Sequence, residues 1–319
     1  MSDLARMLRG RRGFAVAELV EPNRADLLPT WLQDGADVHG SHGLFYWLRA
    51  RGHGLVVSAG DAATVLTWRR DVDRLVAVRP VGATSAVVTL LERLGEVARA
   101  AAPNRPFVAR YCTPAVAARL QELGWGPMAD PWHPAAPHDD ETHPEVIVTA
   151  PVAEIPAGQR YKPIREAIFR HAARYTYLSS PVPLGLGEAA FVERDTARAG
   201  GYDGHERGFN AAVLASLAGR RHDWLTYHYL LHDGLAGFAV TGNVTGIAHG
   251  YYLATLDVPR LTTYLLWLIY LQQRRAGAGA LNLGGSEAQT LHAFKVRTFP
   301  DHRLQPTVVL QRHPVPASR

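Results

Sequence analysis

The sequence predicts an α/β (α+β) protein made by tandem duplication, with mixed central sheets flanked by helices. Three observations lead there. The chain has 319 residues, 47% hydrophobic and 20% charged. That is the balance of a folded protein with length for about two domains, and it excludes a disordered tail or a disulfide scaffold. Strand-like runs alternate with helically spaced ones throughout. The same order of elements occurs twice: hairpin, strand, long helix, strand, short helix, strand.

In the first half, residues 24–32 read as a helix, followed by a His/Gly-rich loop at 39–43. Strands at 54–58 and 64–69 flank the turn Ala59-Gly60-Asp61, and 75–81 is a third strand. Val88, Leu91, Leu94, Val97 and Ala98 recur at helical spacing and predict a helix over 85–101. A strand at 107–111, a helix at 114–123 and the pair Gly124-Trp125 follow. Residues 131–144 are rich in Pro, His and acids and read as a linker, and 145–150 as the strand that closes this half.

In the second half, 161–175 and 210–217 read as helices. Residues 224–231 and 235–240 form a hairpin around His232-Asp233-Gly234. A strand at about 245–254, a helix at 262–275, a strand at 280–283 and a helix at 287–296 come next. A strand at 307–311 closes the half. Pro106-Phe107-Val108-Ala109-Arg110 takes the place in the first repeat that Ala280-Leu281-Asn282-Leu283-Gly284 takes in the second.

The formal charge is +5, and of 34 basic residues only Lys162 and Lys295 are lysine. Arginines cluster along the chain. In the segment 160–174, Lys162, Arg165 and Arg170 fall near one helical face, a pattern suited to phosphate contacts. The single cysteine, Cys112, has no partner for an internal disulfide, so a reducing, cytoplasmic location is expected. On its strand, with no nearby His, it reads as buried and inert. The basic N-terminus leads into a segment too short for a signal sequence. The longest apolar run, Tyr264 to Leu271, is eight residues, against about 20 for a membrane span, so no integral membrane association is expected. His133, His138, Asp139, Asp140, Glu141 and His143 match no zinc spacing and sit among prolines, and no metal is expected.

The element order is that of the GCN5-related N-acetyltransferase (GNAT) fold. In the second half, Leu281-Asn282-Leu283-Gly284-Gly285-Ser286-Glu287, then Leu291-His292-Ala293-Phe294-Lys295 and Phe299-Pro300, carry a more specific pattern. It resembles the ending shared by the phosphatidylglycerol lysyltransferase C-terminal family and the Fem-type peptidyltransferases. Tyr161-Lys162-Pro163-Ile164-Arg165-Glu166 looks like the helix that opens the second repeat of the lysyltransferases. The resemblance implies a degenerate GNAT-like repeat over 1–150 and a second repeat over 151–319 that carries the active site. It also implies an aminoacyltransferase that takes its aminoacyl group from charged tRNA. The membrane region of the lipid-modifying enzymes is missing here, which points to a soluble small-molecule amine or other N or O nucleophile as acceptor, in natural-product biosynthesis.

An acyl-CoA-dependent N-acyltransferase is the alternative, and a non-catalytic tRNA-binding module a second one. An acetyl-CoA enzyme of this fold needs a glycine-rich loop ahead of the long helix. Here that place reads Thr255-Leu256-Asp257-Val258-Pro259-Arg260-Leu261, without glycine and with a proline that lacks an N–H. The glycines of Arg274-Arg275-Ala276-Gly277-Ala278-Gly279 follow the helix instead and read as its C-cap. The missing cradle argues against acetyl-CoA, and the donor that the resemblance implies is aminoacyl-tRNA, with no cofactor.

The resemblance makes Lys295 the catalytic ammonium, placed to stabilise an oxyanion or the leaving ribose oxygen. Asn282, Gly284 and Gly285 would let backbone approach the ester. Asp257 and His292 are candidates for the substrate pocket, with His249, His292 or Asp257 as a base, or with no base where the acceptor amine arrives neutral. Lys162, Arg165, Arg170 and Arg297 are the candidate tRNA contacts.

Overall fold

The computed structural model describes residues 2–18, 54–69, 74–101, 105–127, 144–198, 224–243, 246–285, 289–306 and 308–312. The helices expected at 24–32 and 210–217, the loop at 39–43 and nearly all of the 131–144 linker lie outside them. The chain divides into two compact units. One comprises Met1–Glu145, Gly285–Gln289 and Gln305–Arg319; the other comprises Val146–Gly284 and Thr290–Leu304.

The first unit contains α1 (Ser2–Arg9), β1 (Ala15–Glu18), β2 (Gly54–Ala59), β3 (Ala62–Arg69), β4 (Arg74–Val81), α2 (Thr84–Ala101), β5 (Phe107–Cys112), α3 (Pro114–Glu122) and β6 (Gly126–Pro127). Strands β1 to β4 form an antiparallel meander, and β5 joins β4 in parallel. Parallel pairing needs a crossover, and α2 supplies it, burying Val87, Leu90, Leu91, Leu94 and Val97. Thr113 caps α3 by accepting from Val116 N–H, and Pro114 takes the first turn. At its other end Gly124 adopts a φ of 86°. That turn delivers Trp125 to the core, edge-on to Phe107 with ring centroids 5.7 Å apart.

The strand β14 (Val308–Arg312), expected to close the second half, instead lies between β5 and β6 of this first sheet. The reason is visible in β5, all six residues of which are buried. A strand so enclosed requires partners on both edges. Reciprocally β7 (Glu145–Val148), read as the closing strand of the first half, belongs to the second sheet. Each sheet is thus completed by a strand from the other half of the sequence.

The second unit follows with α4 (Lys162–His171), β8 (Thr176–Ser180), α5 (Glu188–Arg198), β9 (Leu225–Leu231), β10 (Leu235–Asn243), β11 (Ile247–Thr255), α6 (Leu261–Arg275), β12 (Ala280–Asn282), α7 (Gln289–Thr298) and β13 (His302–Gln305). Its sheet runs β13-β7-β12-β11-β10-β9-β8. The apolar run Tyr264–Leu271 falls inside α6, where Leu265, Trp267, Ile269 and Tyr270 are nearly inaccessible. Ile164 and Ala167 of α4 join the same core. Among the described residues no helix is long and apolar enough to cross a membrane.

Helix α4 stops at His171, short of the 175 expected, because the aromatic and β-branched stretch Tyr175-Thr176-Tyr177 turns into the edge strand β8. Tyr175 packs against both His171 and His232.

Candidate functional site

Strands β11 and β12 pair in parallel through only three positions: Ile247 with Ala280, Ala248 with Leu281 and His249 with Asn282. Beyond His249, β11 runs on to Thr255 with β10 on one edge and no β12 partner on the other. The parallel pairing ends at His249–Asn282, where β12 stops, and the chain leaving β12 stays bonded to β7, with Val146 N–H donating to Gly284 O at 3.3 Å.

That chain is the Asn282-Leu283-Gly284-Gly285 turn. Asn282 is fully buried and its Oδ1 accepts the Gly284 N–H at 2.8 Å. Gly284 has a φ of 71°, in the left-handed region, with open space where a side chain would begin. A glycine relieves that conformation and leaves the backbone approachable. Leu283 N–H donates to Val146 O at 2.9 Å, so the turn stays attached to the sheet.

Lys295 comes to this turn from α7. Its side chain is buried, 8% exposed, and its Nζ donates to the Gly284 carbonyl at 3.3 Å. This bond orients the amino group on the turn. His292 lies one helical turn before Lys295 and is half-buried. His249 is fully buried, packed on the Tyr251 ring at 5.7 Å. The structure thus brings Asn282, Gly284 and Lys295 into one hydrogen-bonded arrangement, with Gly285 next in the chain.

Asp257 is not part of it. It is exposed in the connection between β11 and α6. The six residues from His249 to Thr255 alone carry the strand about 20 Å from the Asn282 pairing position.

The connection at 255–260 is where a phosphate cradle would form, and three amides in and beside it are engaged. Leu256 N–H donates to Ala236 O, Val258 N–H to Leu256 O and Leu261 N–H to Val258 O, at 2.8 to 3.0 Å. His171 Nε2 donates to Pro259 O at 3.0 Å, and burial lowers this histidine's pKa. In the first unit the connection ahead of the long helix α2 contains Gly82, which has a packing role: a Cβ there would meet Asp61 O at 2.4 Å. The glycines after α6 are its C-cap, as the sequence indicated. Gly277 N–H bonds Arg274 O and Ala278 N–H bonds Gln273 O, a Schellman arrangement with Gly277 at φ 92°.

The candidate tRNA contacts separate into two kinds. Lys162 is exposed at the start of α4, 3.8 Å from Glu166, and Arg170 and Arg297 are exposed as well. Arg165 instead turns back on its own loop, donating to the Pro156 carbonyl at 2.9 Å and also to that of Gly158.

Several structural residues escape a reading by motif. Tyr161 donates its hydroxyl to Asp301, which also pairs with Arg160 at 2.6 Å. With Trp267 and Phe299 packed between them, these contacts join the start of α4 to the end of α7, so the two segments bearing the lysines meet. Across the sheet, His228 links Tyr177 (2.7 Å) to Thr241 (2.8 Å), which also accepts from Gln273. A lone polar residue in an apolar strand was the only available signal for that network. Burial pushes the Cys112 thiol up to about 12, in keeping with an inert core cysteine.

No family model matches the sequence, and no curated protein matches it. Solved structures do. FemX is 12% identical, covering 88% of this chain and 94% of its own, with a TM-score of 0.62. L-PGS from Bacillus licheniformis is 14% identical over 92% of this chain and 93% of that one, with a TM-score of 0.60. A tandem GNAT protein from the clavulanic acid biosynthesis pathway is 13% identical, over 96% of this chain and all of its own, with a TM-score of 0.50. At these identities the likeness is one of fold: the chain has the tandem acetyltransferase fold that it shares with FemX, L-PGS and this tandem GNAT protein.

Proposed function

We propose that the protein is an aminoacyl-tRNA-dependent aminoacyltransferase acting on a small-molecule amine or other N or O nucleophile in natural-product biosynthesis. The observation that carries this reading is the buried Lys295 ammonium held on the Gly284 carbonyl, in the turn that leaves β12. An aminoacyl ester is already activated, so the protein's task is positioning and charge stabilisation. The acceptor's lone pair forms a bond to the aminoacyl carbonyl carbon, and the bond from that carbon to the ribose oxygen breaks. The proton leaving the acceptor ends on the ribose oxygen. Lys295 stabilises the negative charge that develops on oxygen, and the Asn282–Gly284 bond keeps the turn in place. His292 and Gly285 complete the substrate pocket, with Lys162, Arg170 and Arg297 on tRNA phosphates.

The acyl-CoA alternative is disfavoured by the amides of Leu256, Val258 and Leu261, which are taken up by internal carbonyls where a pyrophosphate would need them. Incubation with a total pool of charged tRNA and candidate amines, with mass detection of the product, tests the reading. Product that disappears on RNase treatment is expected. Turnover with acyl-CoA and no RNA would replace this reading with the alternative.

A further inference from the structure

Phe169 is the most exposed large apolar side chain among the described residues, at 71%. It stands on the outer side of α4, whose Ile164, Ala167 and His171 face the core. Helical spacing sets it one turn beyond Arg165 and Glu166 and two turns beyond Lys162. Arg170 and Arg174 are exposed just past it.

The charge around this ring is one-sided. Between 159 and 176 there are five cations, Arg160, Lys162, Arg165, Arg170 and Arg174, and a single acid, Glu166. That acid is already engaged by Arg260 at 2.6 Å and by Lys162 at 3.8 Å. A bare aromatic ring among cations is the combination that binds single-stranded nucleic acid, bases stacking on the ring while phosphates meet the charges. The Tyr161–Asp301 contact ties the start of this helix to the residues just past α7, six positions beyond Lys295. The helix that bears Phe169 is thereby joined to the segment that bears Lys295.

We propose that Phe169 stacks an unpaired base of the tRNA 3′ end, with Lys162, Arg170 and Arg174 on the adjoining phosphates. The proposal rests on the aminoacyl-tRNA reading above and assigns the residue that seats the acceptor tail.

The test is equilibrium binding, measured by fluorescence anisotropy. The probes are two uncharged RNA stem-loops, one with a single-stranded 3′ CCA tail and one blunt. Phe169→Ala and Phe169→Leu should weaken the tailed RNA by on the order of tenfold, whereas Phe169→Tyr stays within about twofold, because the tyrosine ring still stacks. The blunt RNA should bind all four proteins alike. A Leu variant that binds the tailed RNA as tightly as wild type, or equal losses on both RNAs, would overturn the stacking role. If the wild type binds neither RNA at low salt, the aminoacyl-tRNA reading itself fails. If it binds both and no variant differs, only the role of Phe169 fails.

Discussion

The Nζ of Lys295 lies 3.3 Å from the carbonyl oxygen of Gly284, and the amide of that same glycine donates to Asn282 Oδ1 at 2.8 Å. One peptide turn is therefore held from both sides, by a strand residue through its N–H and by a helix residue through its C=O. The glycine's left-handed φ of 71° presents the two groups in those directions.

Removing the strand-side anchor should loosen the turn. Asn282→Leu leaves the buried Gly284 N–H without its acceptor, a cost of about 1–3 kcal/mol. A urea titration should record this as a lower midpoint. Gly284→Ala meets no steric contact and should cost about 1–2 kcal/mol through backbone strain alone. Both variants should lower kcat more than they raise KM, since they displace Lys295 from the reacting bond.

Binding of aminoacyl-tRNA should be strongly salt-dependent. About six phosphate contacts would lose on the order of 10³-fold in affinity between roughly 50 and 200 mM salt. Filter binding across that range checks the slope. Lys162→Ala, Arg170→Ala and Arg297→Ala should each flatten it by close to one contact, whereas Arg165→Ala should act chiefly on stability, through the loop carbonyls it holds.

Stability should fall in mild acid. Burial lowers the His228 pKa from 6.5 to about 3, and burial lowers His171 as well. Protons therefore bind the unfolded chain more readily than the folded one. For His228 the contribution is complete above pH 6.5 and is lost as pH falls from there toward 3, at on the order of 1 kcal/mol per pH unit. Urea midpoints at pH 7.5, 6 and 5 should trace the loss, and His228→Gln should make it shallower.

Gly82→Ala should destabilise the first unit severely. The new Cβ would stand 2.4 Å from Asp61 O and 2.9 Å from the Ala62 Cα, at a φ of 126°. Both neighbours are backbone atoms that cannot rotate away. A cooperative unfolding transition lowered by many degrees is expected in differential scanning calorimetry; an unchanged transition would mean that the glycine has no packing role.

The fold was readable wherever the pattern was local. The helix from Thr84 to Ala101 and the strand from Phe107 to Cys112 announce themselves through spacing and capping residues such as Thr113. Partner choice was not local. The runs at 145–148 and 308–312 are buried β segments that fit any sheet edge, and nothing in their composition says that they cross to the other half's sheet. That Asn282, Gly284 and Lys295 come together was legible because they sit within one short motif. That Asp257 lies apart from them was not, because closeness in element order hid the strand residues from His249 to Thr255. The Tyr161–Asp301 contact joins residues 140 apart, a separation across which periodicity carries no information.

The most direct test of the central claim is single-turnover transfer from labelled aminoacyl-tRNA by wild type and Lys295→Ala, each first shown to be folded and to bind tRNA equally. Loss of one charged donor from the reacting centre should slow transfer by roughly 10²–10³-fold with tRNA affinity unchanged. Transfer at the wild-type rate by the alanine variant would contradict the account and leave the fold as a tRNA-binding module.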